Sequence, residues 1–75
     1  MSRAILYTRQ GCCLCDRAKA TLQAHGLTVE EIDIDGDAAL RERYNEWVPV
    51  VEIDGRERFR GHVDELLLRR LLGQP

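Results

Sequence analysis

The sequence predicts an α/β domain, a four-stranded mixed sheet of strand order 2-1-3-4 with helices on both faces. Three observations carry that expectation. Short apolar runs alternate with segments of helical spacing in the order β-α-β-α-β-β-α. The pair Asp54-Gly55 joins the last two runs as a two-residue hairpin turn, which makes those strands antiparallel. The first and third runs are the most continuously apolar and therefore central, and the two charged runs are edges.

Ala4-Ile5-Leu6-Tyr7-Thr8, closed by Arg9-Gln10-Gly11, reads as a strand buried on both faces. Helical spacing follows from about Leu14 to His25. Leu14, Ala18, Ala20 and Leu22 form its apolar stripe, and Asp16, Arg17, Lys19 and Gln23 face water. Gly26 then stops the helix. The next run, Thr28 to Asp35, alternates apolar and acidic residues in its second half, as an exposed edge strand does. A parallel pair enclosing a helix needs a right-handed crossover, which places this strand beside the first. Asp35-Gly36-Asp37 is a turn and helix-cap signal, followed by a helix from about Ala38 to Tyr44 that carries Leu40 and Tyr44 at a spacing of four. Val48 to Ile53 is the third strand, with Pro49 at its start, where a missing N–H is tolerated. The return strand, Arg56 to Arg60, sets three arginines on one side and so protects an edge. A last helix runs from Val63 to about Leu72, with Val63, Leu66, Leu67 and Leu71 as its buried face.

Length and charge narrow the function. Seventy-five residues allow one domain, expected to span residues 1–75, and a chain of this size buries only about 60% of its unfolded surface. Thirteen acids against eleven bases leave a net charge of −2, which excludes general electrostatic binding of nucleic acid. The longest apolar runs hold three or four residues, too few for a membrane span, and the N-terminal segment lacks the apolar core of a signal peptide. A cytoplasmic monomer, with no nucleic-acid or membrane partner, is the expectation. Acid concentrates at Glu30, Glu31, Asp33, Asp35 and Asp37, and base at Arg56, Arg58 and Arg60.

The three cysteines, Cys12, Cys13 and Cys15, lie within four residues and close no long loop, so they do not staple the fold. Cys12 and Cys15 form a C-x-x-C where the first strand meets the first helix. There, unpaired N–H groups and the helix dipole stabilise a thiolate. Cys12 at the tip of the turn is placed to attack a substrate disulfide. Cys15, one helical turn on, is placed to resolve the mixed disulfide. Cys13 reads as a small, solvent-facing residue of the first turn, or as a third exchanging thiol. A zinc site usually needs a second cysteine pair or nearby histidines. His25 reads as a solvated helix end and His62 as a loop residue, so no metal ligands are expected.

With these elements the order is that of a thioredoxin-type core in its smallest form. The chain resembles a glutaredoxin-like protein of the thioredoxin superfamily along its whole length. The carriers are Leu6-Tyr7-Thr8-Arg9-Gln10-Gly11-Cys12-Cys13-Leu14-Cys15, then Val48-Pro49, then Gly61-His62-Val63-Asp64. Cys13-Leu14-Cys15-Asp16, the short length and the Gly61 to Leu66 segment are similar to a short bacterial branch with a C-x-L-C motif. Cys13-Leu14 replaces the usual Pro-Tyr, and His62 replaces the second of two glycines. The resemblance implies that Arg9 stands for a lysine supporting the thiolate, and that the Val48–Pro49 bond is cis. It implies that the backbone beside Pro49 pairs with an extended substrate. It also implies that Gly61, Val63 and Asp64 hold the γ-glutamyl end of glutathione. Trp47, just before Val48, reads as a half-buried packing residue or as a cover over the dithiol.

The resulting expectation is a thiol–disulfide oxidoreductase that requires no cofactor, with glutathione as a co-substrate. Its partners are a disulfide-containing protein or a glutathione mixed disulfide, and it is recycled by a reductase or by glutathione. Two other readings stay open at this point. One is a metal or iron–sulfur module built on Cys12, Cys13 and Cys15, and the other is a redox-inert partner-binding domain of the same fold.

Overall fold

In the computed structural model, which describes residues 3–45 and 47–73, the sheet is built around β1 (Arg3–Thr8). β1 pairs in parallel with β2 (Thr28–Asp33) and antiparallel with β3 (Val50–Ile53), which pairs antiparallel with β4 (Arg56–Arg60). The strand order is β2-β1-β3-β4, as the sequence predicts, with helices α1 (Cys13–Ala24), α2 (Ala38–Tyr44) and α3 (Glu65–Leu71). Residues 1, 2, 74 and 75, to which the expected 1–75 domain extends, lie outside the described residues.

Alternation along the strands divides the interior in two. Ala4, Leu6, Val51, Ile53 and Phe59 face one way and meet Ala18 and Leu22 of α1, Val63, and Leu68 of α3. On the other side Val50 and half-buried Tyr7 meet Ile34 and Tyr44, so α2 and the turn before it cover that face. Asp54 (φ 52) and Gly55 (φ 85) both take positive φ, the two-residue conformation that matches the twist of the β3–β4 hairpin.

Several local expectations are corrected. The second strand ends at Asp33 rather than Asp35, because the Asp33 carboxylate accepts the Asp35 N–H at 2.9 Å. The chain then curls into a 3₁₀ turn (Ile34–Gly36) that buries Ile34. The third strand starts at Val50, since Pro49 has no N–H to give the ladder and its carbonyl instead receives the Gly61 N–H at 2.7 Å. A register shift between Val51 and Glu52 pairs Val51 with Phe59 but Glu52 with Glu57, leaving Arg58 as an extra residue. The three arginines therefore do not share a side: Arg56 lies opposite Ile53, and Arg60 lies opposite Val50.

The helices register differently as well. α1 begins at Cys13 and buries Cys15, Ala18 and Leu22, spaced by three and four residues, so Leu14 and Ala20 are exposed. In α3 the Asp64 carboxylate accepts the N–H groups of Leu66 (3.0 Å) and Leu67 (3.2 Å). That cap sets the helix start at Glu65 and turns Leu68 inward, while Leu66, Leu67 and Leu71 remain 60%, 47% and 42% exposed. His25 is not a solvated helix end: its side chain is largely buried, and Nε2 lies 3.1 Å from Glu65 Oε1, tying the end of α1 to the start of α3.

On the α2 side, the Tyr7 hydroxyl donates to Glu52 Oε2 at 2.8 Å, and its ring stacks on Tyr44 at 4.9 Å between centroids. Burial, then the bond to the Glu52 carboxylate, pushes the Tyr7 phenol up to about 12. The folded state thus holds this proton more tightly than the unfolded chain, whose phenol titrates at about 10. The associated stability is complete below that unfolded value and is lost as pH rises through 12. A phenolate absorbance titration of the native protein is expected to show a late step near pH 12 that Tyr7→Phe removes. Persistence of that step in the variant would assign it elsewhere.

Candidate active site

The connection from β1 to α1 is a tight turn over residues 9–12. The Cys12 N–H donates to the Arg9 carbonyl at 3.2 Å, and Gly11, the third residue, takes φ 79. A side chain there would meet no atom within 4 Å, so the requirement is the left-handed backbone rather than space. The turn delivers Cys12 as the N-cap of α1, with extended φ −88 and ψ 104.

An N-cap side chain normally supplies an oxygen to the free N–H groups of the first turn. Here the acceptor is sulfur: the Cys15 N–H donates to Cys12 Sγ at 3.1 Å. Cys12 and Cys15 are paired at disulfide distance, with Cα atoms 5.2 Å apart. Their exposures differ, since Cys12 is half-buried at the tip and Cys15 is only 2% exposed in the core side of α1. Cys13 is a free, exposed thiol. Among the described residues no three His, Cys, Asp or Glu side chains gather in a metal-binding arrangement.

The other residues singled out from sequence fall into three places. The guanidinium of Arg9 lies on Asp35 and Asn45: Nε and Nη2 each reach one Asp35 oxygen at 3.0 Å. Nη1 donates to the Asn45 carbonyl at 3.0 Å, and Nη2 to Asn45 Oδ1 at 2.7 Å. Val48 is half-buried against the α2-side core, and the Val48–Pro49 bond is cis. The Pro49 carbonyl, bound to the Gly61 N–H, ties this segment to the turn before α3. Gly61, His62 and Val63 face Leu14, Arg17 and Thr21 of α1 across a shallow groove. Asp64 spends one carboxylate oxygen on capping α3.

Trp47 is 50% exposed, and the Arg60 guanidinium sits 5.4 Å from its ring centre. Among the described residues no side-chain hydrogen bond joins Arg9 or Asp64 to Cys12 or Cys15. Sequence reasoning missed Asp35 and Asn45 as partners of Arg9. They lie 26 and 36 residues away along the chain, beyond any spacing rule.

Comparison with known proteins adds a lineage to this geometry. A family model described as "Glutaredoxin-like domain (DUF836)" matches residues 3–73. Glutaredoxin 3 of Escherichia coli (strain K12) is 45% identical over 42 residues, covering 56% of this chain and 51% of that protein, so the match spans about half its length. The uncharacterized protein Mb0520 of Mycobacterium bovis is 37% identical over 73 residues, covering 85% of this chain and 75% of its own. The X-ray structure of target protein XcR50 from X. campestris superposes with a TM-score of 0.79 at 39% identity, covering 93% of this chain and 95% of that one. No helix among the described residues is long and apolar enough to cross a membrane.

Proposed function

The chain belongs to the glutaredoxin-like domain family, and from that premise we propose that it is a thiol–disulfide oxidoreductase working through Cys12 and Cys15. The observation that carries this reading is the asymmetry of the pair on α1. Cys12 caps the helix and receives the Cys15 N–H, and Cys15 lies buried one turn behind it. On reduction the same N–H group and the helix dipole favour a Cys12 thiolate.

That thiolate attacks a substrate disulfide sulfur. A Cys12–substrate disulfide forms, and the other substrate sulfur leaves as a thiolate. The Cys15 thiolate then attacks Cys12 Sγ and expels the remaining substrate sulfur. The substrate has gained two electrons, and the protein holds the Cys12–Cys15 disulfide. The Arg9 guanidinium belongs to the residue that opens the β1–α1 turn and is held by Asp35 and Asn45. The Val48 backbone, which makes no hydrogen bond to other described residues outside the sheet and helices, offers an edge for an extended substrate next to Pro49. Glutathione, bound along Gly61, Val63 and Asp64, is the proposed mixed-disulfide partner and recycling reductant. A reducing cytoplasm supplies it.

Intact mass with thiol alkylation, after mild oxidation and re-equilibration in graded glutathione buffers, tests the couple. The expected result is a reversible loss of two hydrogens mapped to Cys12 and Cys15, with Cys13 alkylated throughout. Failure of that bond to form at any potential would end the oxidoreductase reading.

A further inference from the structure

We propose that Asp35 is a positioning residue for Cys12 that acts through Arg9, compensating the guanidinium charge and so holding down the fraction of Cys12 present as thiolate. The proposal rests on the oxidoreductase reading for its purpose, although its test does not.

The Arg9 carbonyl receives the Cys12 N–H, so the residue whose side chain Asp35 grips also closes the turn that presents the sulfur. The guanidinium is committed through all three nitrogens. It makes two bonds to the Asp35 carboxylate and two to Asn45, which lies at the end of α2. Fork-on-carboxylate contact is a strong, orienting geometry. With side chains 30% and 40% exposed, however, the pair sits in partly solvated surroundings, where it contributes little to stability. Its larger consequence is electrostatic. An unpaired arginine at the start of this turn favours a nearby thiolate, and a carboxylate bound to it opposes that effect.

Other charges face the same turn: Asp16 in the first turn of α1, and Glu31 and Asp33 on β2, with Glu31 held by Lys19. On the α2 side Glu42 and Arg43 lie beside Asn45. All of these stay constant in the variants below.

Two substitutions both break the Arg9–Asp35 contact but change the charge in opposite directions; Arg9→Gln also removes the two bonds to Asn45. Asp35→Asn leaves Arg9 uncompensated, whereas Arg9→Gln leaves the Asp35 carboxylate uncompensated. The readout is the pH dependence of Cys12 alkylation in the reduced protein, in a Cys13→Ser background, by mass spectrometry. Asp35→Asn is expected to raise the thiolate-to-thiol ratio at fixed pH by roughly threefold and Arg9→Gln to lower it by a similar factor. Both effects shrink at high salt, where the screening length falls to about 3 Å at 1 M. Asp35→Glu is expected to restore the wild-type profile and guards against a folding defect in Asp35→Asn.

A clamp with only a structural role would shift both variants the same way, or neither. Either result overturns the proposal. Loss of the wild-type Cys12–Cys15 couple in the glutathione titration would instead overturn the oxidoreductase reading, while the alkylation profiles would still report on Asp35.

Discussion

Cys12→Ser is expected to lower disulfide reduction to the uncatalysed background, a loss of roughly a thousandfold or more, because the attacking thiolate has no substitute. Cys13 is exposed and adjacent, but it sits one residue into α1. The Cys15 N–H is directed at residue 12. A serine there still caps the helix through its hydroxyl, so the variant should fold, and the loss can be assigned to chemistry. Cys15→Ser has a different signature. The first attack proceeds, but no buried thiolate remains to release Cys12, so the protein accumulates as a mixed disulfide. Incubation with oxidised glutathione should then add one glutathione to Cys12, readable as an intact-mass increment that a strong reductant removes. Undiminished turnover in Cys12→Ser would show that the proposed exchange does not run through this pair. Turnover by Cys15→Ser at the wild-type rate would make the reaction monothiol, with a second glutathione resolving it.

Much of this was legible in the sequence, and the failures share a cause. Strand order followed from which runs were most apolar and from Asp54-Gly55, both local signals that the structure reproduces. Cys12 and Cys15 were legible because a helical turn places residues three apart in contact. The arginines of β4 were misjudged because a bulge is a property of the pairing, not of one strand: Arg58 alternates correctly in sequence and is displaced only by how β3 meets β4. The burial of His25 against Glu65 and the binding of Arg9 by Asp35 and Asn45 are contacts between distant segments. They become visible only once the helices lie on the sheet. The face of α3 fell between these cases. Leu66, Leu67 and Leu68 are consecutive, so apolar spacing cannot choose among them, and the Asp64 cap, a local signal, decides the register.

That register yields the largest stability effect expected here. Leu68 is fully buried and is the residue of α3 that enters the main core, beside Leu22, Phe59 and Val63. Truncation to alanine removes its apolar contacts and leaves a cavity, a change that costs about 2–5 kcal/mol for buried leucines. A 75-residue domain, at about 0.05–0.15 kcal/mol per residue, has only roughly 4–11 kcal/mol of stability. Leu68→Ala should therefore lower the urea midpoint severely or unfold the protein outright. Leu66→Ala, at a position 60% exposed, should stay within about 0.5 kcal/mol of wild type. Equal losses from the two would mean that α3 is rotated from the position described. The consequence reaches the site, because α3 is anchored to the sheet through Leu68 and its capping segment continues directly into Gly61, His62 and Val63. A milder variant, Leu68→Val, should retain the fold with a smaller loss of stability. If the Gly61–Val63 turn holds the γ-glutamyl end of glutathione, its loosening should raise KM for a glutathione mixed disulfide more than it lowers kcat, since the Cys12 cap on α1 is left intact.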